Sequence, residues 1–194
     1  MTKIIGLTGG IGSGKTTIAN YFLAAGVPVY ITDDEARKMM QLPEIIEEIK
    51  KIFGTSIFEK GTLNREKLAT IVFSNPEKLK LLNAIIHPAV KKHFEDWISN
   101  HKNFPFVIYE AAILFESGSY KNCDWIITVT APIESRIQRV IQRDKTTREQ
   151  VLKRIDSQWS DEQRISKSDF VIENVNLEIA KSEVDKILKI LKIH

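Results

Sequence analysis

Five of the nine glycines in this 194-residue chain fall in one short stretch, GLTGGIGSGKTT, from Gly6 to Thr17. Glycine packs no side chain and loses more backbone freedom on folding than any other residue. No other part of the sequence restricts the fold so much. Gly9, Gly14, Lys15 and Thr16 fit the spacing G-x-x-x-x-G-K-[ST], the P-loop pattern, which binds phosphate. The backbone from Gly10 through Ile11, Gly12 and Ser13 to Gly14 is expected to curl so that successive N–H groups form a nest for an anion. A helix opening near Lys15, with Thr16 and Thr17 in its first turn, adds the positive end of its dipole. Lys15 then reaches the β- and γ-phosphates of a nucleotide, and the Thr16 hydroxyl holds Mg²⁺. The flanks agree with this reading. KIIGLT reads as a buried strand, Ile18, Phe22 and Ala25 recur at helical spacing, and Gly26 supplies a stop.

The other apolar runs, VPVYIT, FPFVIYE, DWIITVT and DFVIEN, are short and nearly continuous, as in parallel strands covered on both faces. Helical patterns separate them, so the expected architecture is α/β, a doubly wound and mainly five-stranded parallel sheet. The interval 36–101 is too long for one crossover helix. It holds several helical segments, including EIIEEIKKIF before Gly54 and a run opening at Asn75-Pro76, and reads as a helical insertion for the acceptor substrate. The expected division is a core of 1–35, 102–135 and 167–194, the insertion, and a helical lid over 136–166. Within IIHP, His87 precedes Pro88, which predicts a helix boundary there.

Several side chains beyond the loop are candidates for chemistry. Asp33 follows the second strand, where the carboxyl ends of parallel strands border a ligand crevice, and an acid there can take a proton from a hydroxyl. Thr32-Asp33-Asp34-Glu35 also has capping-box spacing, which would make Asp33 a helix-start residue instead. Glu110 ends an apolar strand, as does the acid that holds Mg²⁺ or its water in P-loop enzymes. Glu116, after AAILF, is a further acidic candidate. Six of the eight arginines lie between Arg136 and Arg164, while the twenty lysines are spread along the chain. Arg136, Arg139 and Arg143 share one helical face behind Pro132, and guanidinium forks bind phosphate bidentately where lysine cannot. They are expected to face the nucleotide from a lid that closes and excludes water.

Composition narrows the function. A net charge of +3 is too mild to demand nucleic acid. The four histidines lack metal-ligand spacing, and the single Cys123 fits a reducing cytoplasm. No apolar run approaches a membrane span, and the first glycines interrupt any signal-peptide core, so a cytoplasmic protein without membrane partners is expected.

Taken together, the motifs resemble those of the dephospho-CoA kinase family over about residues 3–174. GLTGGIGSGKTT is similar to its P-loop, TDDEAR to the segment carrying its proposed catalytic aspartate, and NAIIHP to its Asn-x-x-x-His-Pro element. QRD, followed by Thr147 and Arg154, resembles its lid. The resemblance implies transfer of a phosphoryl group from ATP to the ribose 3′-hydroxyl of dephospho-CoA by a monomer. Asp33, Lys15 and Arg143 would be catalytic. Gly10 through Thr17 and Arg139 would hold ATP, Asp33, His87 and Glu116 the acceptor, and Thr16 and Glu110 Mg²⁺. The chain departs from the family at Ile31, where an aspartate is usual, at Ala112 for proline, at Glu110 for aspartate, and at Val175-Asn176 near the adenine contact. Another small-molecule or nucleotide kinase of this architecture is the nearest rival. A GTPase is disfavoured because no N-K-x-D run occurs.

Overall fold

The computed structural model describes residues 2–59 and 61–193. The chain divides into two compact units, Met1–Ile31 with His101–His194, and Thr32–Asn100.

The first unit is built on a five-stranded sheet. Its strands are β1 (Lys3–Thr8), β2 (Val29–Ile31), β5 (Phe106–Glu110), β6 (Trp125–Thr130) and β7 (Phe170–Glu173). They lie in the order β2-β5-β1-β6-β7, every neighbouring pair parallel. The five apolar runs read from the sequence are these five strands. Helices α1 (Lys15–Ala24) and α9 (Leu177–Ile193) cover the sheet. Ile18, Ala19 and Phe22 of α1, and Ala180, Val184 and Leu188 of α9, pack with Ile5, Leu7, Ile108, Ile127 and Val129 in one core. Fully burying side chains of this size contributes roughly 1.5–3 kcal/mol each, which fixes the register of the sheet. Between β6 and β7 run α6 (Ile133–Asp144), α7 (Arg148–Asp156) and α8 (Asp161–Ile165). Ile137, Val140 and Val151 form a smaller cluster joining α6 and α7. Thr147 and Ser160 start α7 and α8 with complete capping boxes, closed by Gln150 and Gln163.

The register sets the functional edge. Leu7 of β1 and Ile31 of β2 both lie beside Glu110, the last residue of β5, and Thr8 lies beside Thr128. Strand ends and the glycine loop after β1 therefore share the carboxyl edge of the sheet, where open α/β folds bind ligands.

The second unit holds α2 (Thr32–Met39), α3 (Pro43–Phe53), α4 (Arg65–Phe73) and α5 (Pro76–Ser99). A small antiparallel hairpin, β3 (Phe58–Glu59) with β4 (Thr62–Leu63), also lies in it; the sequence reading anticipated only helices. Gly54 ends α3, and the Asn75 side chain accepts from the N–H groups of Glu77 and Lys78 to start α5. The unit begins at Thr32, where α2 follows β2 with no intervening loop and packs on α5.

IIHP does not end a helix, in contrast to the sequence expectation, and α5 runs through Pro88. An interior proline costs about 3 kcal/mol through a lost hydrogen bond and a ring clash. Ile85, Ile86 and Val90 are buried around it, and α2, α3 and α4 all pack on α5, so burial outweighs the local preference.

Cys123 packs with Leu114 and Phe115 beside Gly6, and burial, then the charge of Asp124, pushes its thiol pKa up to about 12. The thiol therefore stays protonated at neutral pH. Iodoacetamide at pH 8 is expected to label Cys123 at least about tenfold more slowly than an unperturbed cysteine thiol, because only the thiolate reacts. Labelling at the unperturbed rate in the folded protein contradicts this burial.

Candidate active site

The loop between β1 and α1 has the geometry its glycines foretell. Gly12 and Gly14 have φ of 78° and 92°, a left-handed region that favours glycine. Space is as restrictive as backbone angle. A Cβ on Gly12 would lie 2.5 Å from the Arg136 carbonyl oxygen, and one on Gly14 would lie 2.1 Å from Asn174 Nδ2. Inside the loop the Ser13 N–H donates to the Gly10 carbonyl, and Gly14 leads into α1, whose N-terminus begins at Lys15. A helix N-terminus and a curled glycine backbone make an anion site without any further side chain.

Around that loop lie two groups that carry charge. Lys15 Nζ is 4.0 Å from Glu110 Oε1, and both side chains are largely buried, the carboxylate to 4% exposure. Glu110 is thus brought beside the loop lysine. Thr16 is exposed in the first turn of α1. Ser13 Oγ and Thr8 Oγ1 are buried by the loop and accept or donate no hydrogen bond among the described residues.

The arginines of α6 are not one phosphate-facing row. Arg136 is buried, with Nε donating to the Ile11 carbonyl at 2.9 Å and NH1 pairing with Asp161 at 2.9 Å. Arg139 donates to the carbonyls of Asn174 at 2.9 Å and of Gly12 and Ser13 at 3.4 Å. Arg143 alone projects outward, its fork closed on Asp144 at 2.7 and 3.2 Å. Asp144 also accepts from Arg154 at 2.9 Å, and these two arginines hold its carboxyl below the usual carboxylate range, Arg143 contributing most. A helical face in sequence includes everything within its arc, and only the third dimension separates its buried edge from its exposed one.

Glu116 is paired as well, at an exposed position where its side chain keeps 20% exposure. Its Oε1 accepts from Arg164 NH2 at 3.1 Å and from the Trp159 N–H at 3.0 Å, and the Arg164 side chain is fully buried. Desolvation lowers the pKa of Arg164, opposed by Glu116 and Asp161. Glu116, expected to hold the acceptor, thus carries an ion pair with the buried Arg164. Asn174 and Gln158 are loop partners that the sequence reading did not single out. Asn174 Nδ2 donates to the Ser13 carbonyl at 2.8 Å, and Gln158 Oε1 accepts from the Ile11 N–H at 2.9 Å. The one available signal for Asn174 was its position just past β7, at the carboxyl edge.

In the second unit, Asp33 is the second residue of α2, exposed, with no hydrogen bond or ion pair among the described residues. Its neighbours are occupied: Asp34 pairs with Arg37 at 2.8 Å, and Glu35 with Lys38 at 2.7 Å and His93 at 3.7 Å. His87 lies on the exposed side of α5, where partial desolvation lowers its pKa and keeps it neutral at pH 7. Among the described residues no cluster of His, Cys, Asp and Glu is built to hold a metal by itself.

A parallel sheet, a glycine loop opening a helix at Lys15, and a buried acid beside that lysine define a P-loop phosphotransferase. A family model for dephospho-CoA kinase matches residues 3–179. The dephospho-CoA kinase of Fusobacterium nucleatum is 44% identical over 185 residues, 94% of this chain and 95% of that one. A solved dephospho-CoA kinase from Campylobacter jejuni superimposes with a TM-score of 0.72 at 30% identity, covering 97% of this chain and 96% of that one. A Thermus thermophilus structure superimposes with a TM-score of 0.90 at 34% identity, covering 97% of each. This chain belongs to the dephospho-CoA kinase family.

Proposed function

We infer that this chain transfers the γ-phosphoryl group of ATP to the ribose 3′-hydroxyl of dephospho-CoA, the step that completes coenzyme A. The observation that carries this reading is the family match over residues 3–179, on a chain whose phosphate loop sits at the carboxyl edge of its sheet.

In the reaction the acceptor 3′-oxygen bonds to the γ-phosphorus as the bond to the β–γ bridging oxygen breaks, and ADP leaves. Such a transition state needs positioning and charge neutralisation more than covalent help. The loop amides and the N-terminus of α1 receive the phosphates, and Lys15 neutralises charge on the β- and γ-oxygens. Asp33 orients the ribose hydroxyl and accepts its proton, since its carboxylate is committed to no partner within its own unit.

The donors near the loop fit Mg²⁺. They are oxygens only, the Thr16 hydroxyl and the buried Glu110 carboxylate, and too few to bind a metal without substrate. Mg²⁺ is held in just this way, through one or two protein oxygens, waters and substrate phosphates. When bound it supplies charge neutralisation across the β- and γ-phosphates.

The test offers Mg·ATP with dephospho-CoA, AMP, dTMP and shikimate, and identifies products by mass. Phosphorylation of dephospho-CoA alone is expected, and a product only from a nucleoside monophosphate refutes the acceptor.

The lid role narrows to Arg143, whose outward fork must exchange Asp144 for phosphate. Arg143→Lys keeps the charge but loses the fork, so kcat is expected to fall about tenfold with Tm unchanged. Unaltered kcat assigns Arg143 to surface pairing with Asp144.

A further inference from the structure

One residue at the tip of the phosphate loop is gripped on every side by the segment between β6 and β7. The side chain of Ile11 packs on the α6–α7 cluster of Ile137, Val140 and Val151. Its N–H donates to Gln158 Oε1 at 2.9 Å, and its carbonyl accepts from Arg136 Nε at 2.9 Å. Both partners are themselves secured. Asp161 takes Arg136 on one carboxylate oxygen at 2.9 Å and Arg164 on the other at 3.4 Å. Arg164, without solvent exposure, continues to Glu116 and to the carbonyl of Trp159, the residue after Gln158. The Trp159 ring stacks on Phe115 with centroids 5.2 Å apart and planes 2° from parallel. The Glu116 carboxylate and the Phe115 ring thus fix residue 159 from the turn after β5. An inward charge relay of this kind has no part in the phosphoryl-transfer chemistry itself, yet it ends on the backbone of the phosphate loop.

We propose that Gln158 is a positioning residue for ATP, and that the Arg136–Asp161–Arg164–Glu116 relay holds it and Arg136 as a clamp on the Ile11 peptide groups. The clamp acts through the loop. It fixes the peptide planes on either side of Ile11, and with them the direction of the N–H groups that follow toward Lys15. A loop with four glycines, Gly9, Gly10, Gly12 and Gly14, has little rigidity of its own, so the clamp supplies the preorganisation on which phosphate affinity depends. Glu116 accordingly supports the nucleotide side of the site. The inference rests on the loop being the ATP phosphate site.

The experiment compares Gln158→Met, which keeps the length but not the acceptor, with Gln158→Glu, which retains an acceptor oxygen. ADP affinity is measured by calorimetry and KM for each substrate by assay. Losing the partner of one partly buried N–H is expected to weaken ADP binding and raise the KM for ATP about tenfold in Gln158→Met. The KM for dephospho-CoA should stay within about twofold, since the clamp touches only the phosphate loop. Gln158→Glu should recover most of the loss. ADP affinity unchanged in Gln158→Met, or equally poor in Gln158→Glu, overturns the clamp, as does an equal rise in both KM values. Should Gln158→Met not fold, Gln158→Asn is one methylene too short to reach Ile11. It is expected to show the same ADP loss, and normal ADP binding by it overturns the clamp. Lys15→Ala separates the two readings. Full activity in that variant removes the phosphate site and the clamp together, whereas an inactive Lys15→Ala beside a normally binding Gln158→Met removes the clamp alone.

Discussion

Replacing Asp33 with asparagine is expected to lower kcat by about 10²–10⁴, the worth of a positioned general base. Asparagine keeps the shape of the side chain and can still orient a hydroxyl, but it cannot take the proton. The alternative role for Asp33, support of the α2 N-terminus, forecasts a different result. Asparagine also serves at helix starts, and loss of the charge near the dipole costs only about 0.3–1 kcal/mol, so turnover would be nearly intact. Within its own unit Asp33 is exposed and uncommitted, whereas Asp34 is paired with Arg37 at 2.8 Å. Asp34→Asn should therefore leave kcat within about twofold, as surface pairs contribute little. Ile31 supplies no acid at the end of β2 itself, and Glu110 beside it is turned to Lys15 at 4.0 Å. ADP affinity in Asp33→Asn should match the parent protein. A large loss at Asp34 with none at Asp33 would show that the base has been misassigned.

Lys15→Ala is expected to reduce kcat roughly 10²–10³-fold, as removal of one preorganised charge donor does in other enzymes. The lysine stands 4.0 Å from the buried Glu110, so its loss also strips a nearby counter-charge from a carboxylate at 4% exposure. Fold should nevertheless survive, because the core residues Ile5, Leu7, Ile18 and Phe22 are untouched. Far-ultraviolet circular dichroism of the variant should therefore overlay the parent. Lys15→Arg keeps the charge but on a larger, planar head rather than a compact ammonium, and should recover only part of the rate. Parent-like turnover by Lys15→Ala would end the argument that this loop binds the transferred phosphate.

Much of the site was legible because it is local. The glycine loop, Lys15, Thr16 and the strand end at Glu110 follow from short runs whose physical demands are met by their immediate neighbours. Strands that bury both faces must be continuously apolar, and all five announced themselves in that way. Asn75-Pro76 and Gly54 bounded their helices for equally local reasons, a side-chain cap and a positive φ.

Tertiary structure decided what separate segments do to one another. Pro88 argued for a helix end, and packing of α2, α3 and α4 on α5 overrode it. Arg136, read as a phosphate ligand, is buried against Ile11 and Asp161, and Glu116, read as an acceptor ligand, pairs with Arg164. The partners that shape the loop, Arg136, Gln158 and Asn174, lie 125, 147 and 161 residues from the atoms they hold. A charged side chain carries the same chemistry whether it meets solvent, substrate or a buried carbonyl. The sequence determined that this chain has a phosphate loop on a parallel sheet, because glycine spacing and apolar continuity act within a few residues. Which arginines brace that loop and which reach outward was decided only by folding, because desolvation acts on surfaces brought together from distant parts of the chain.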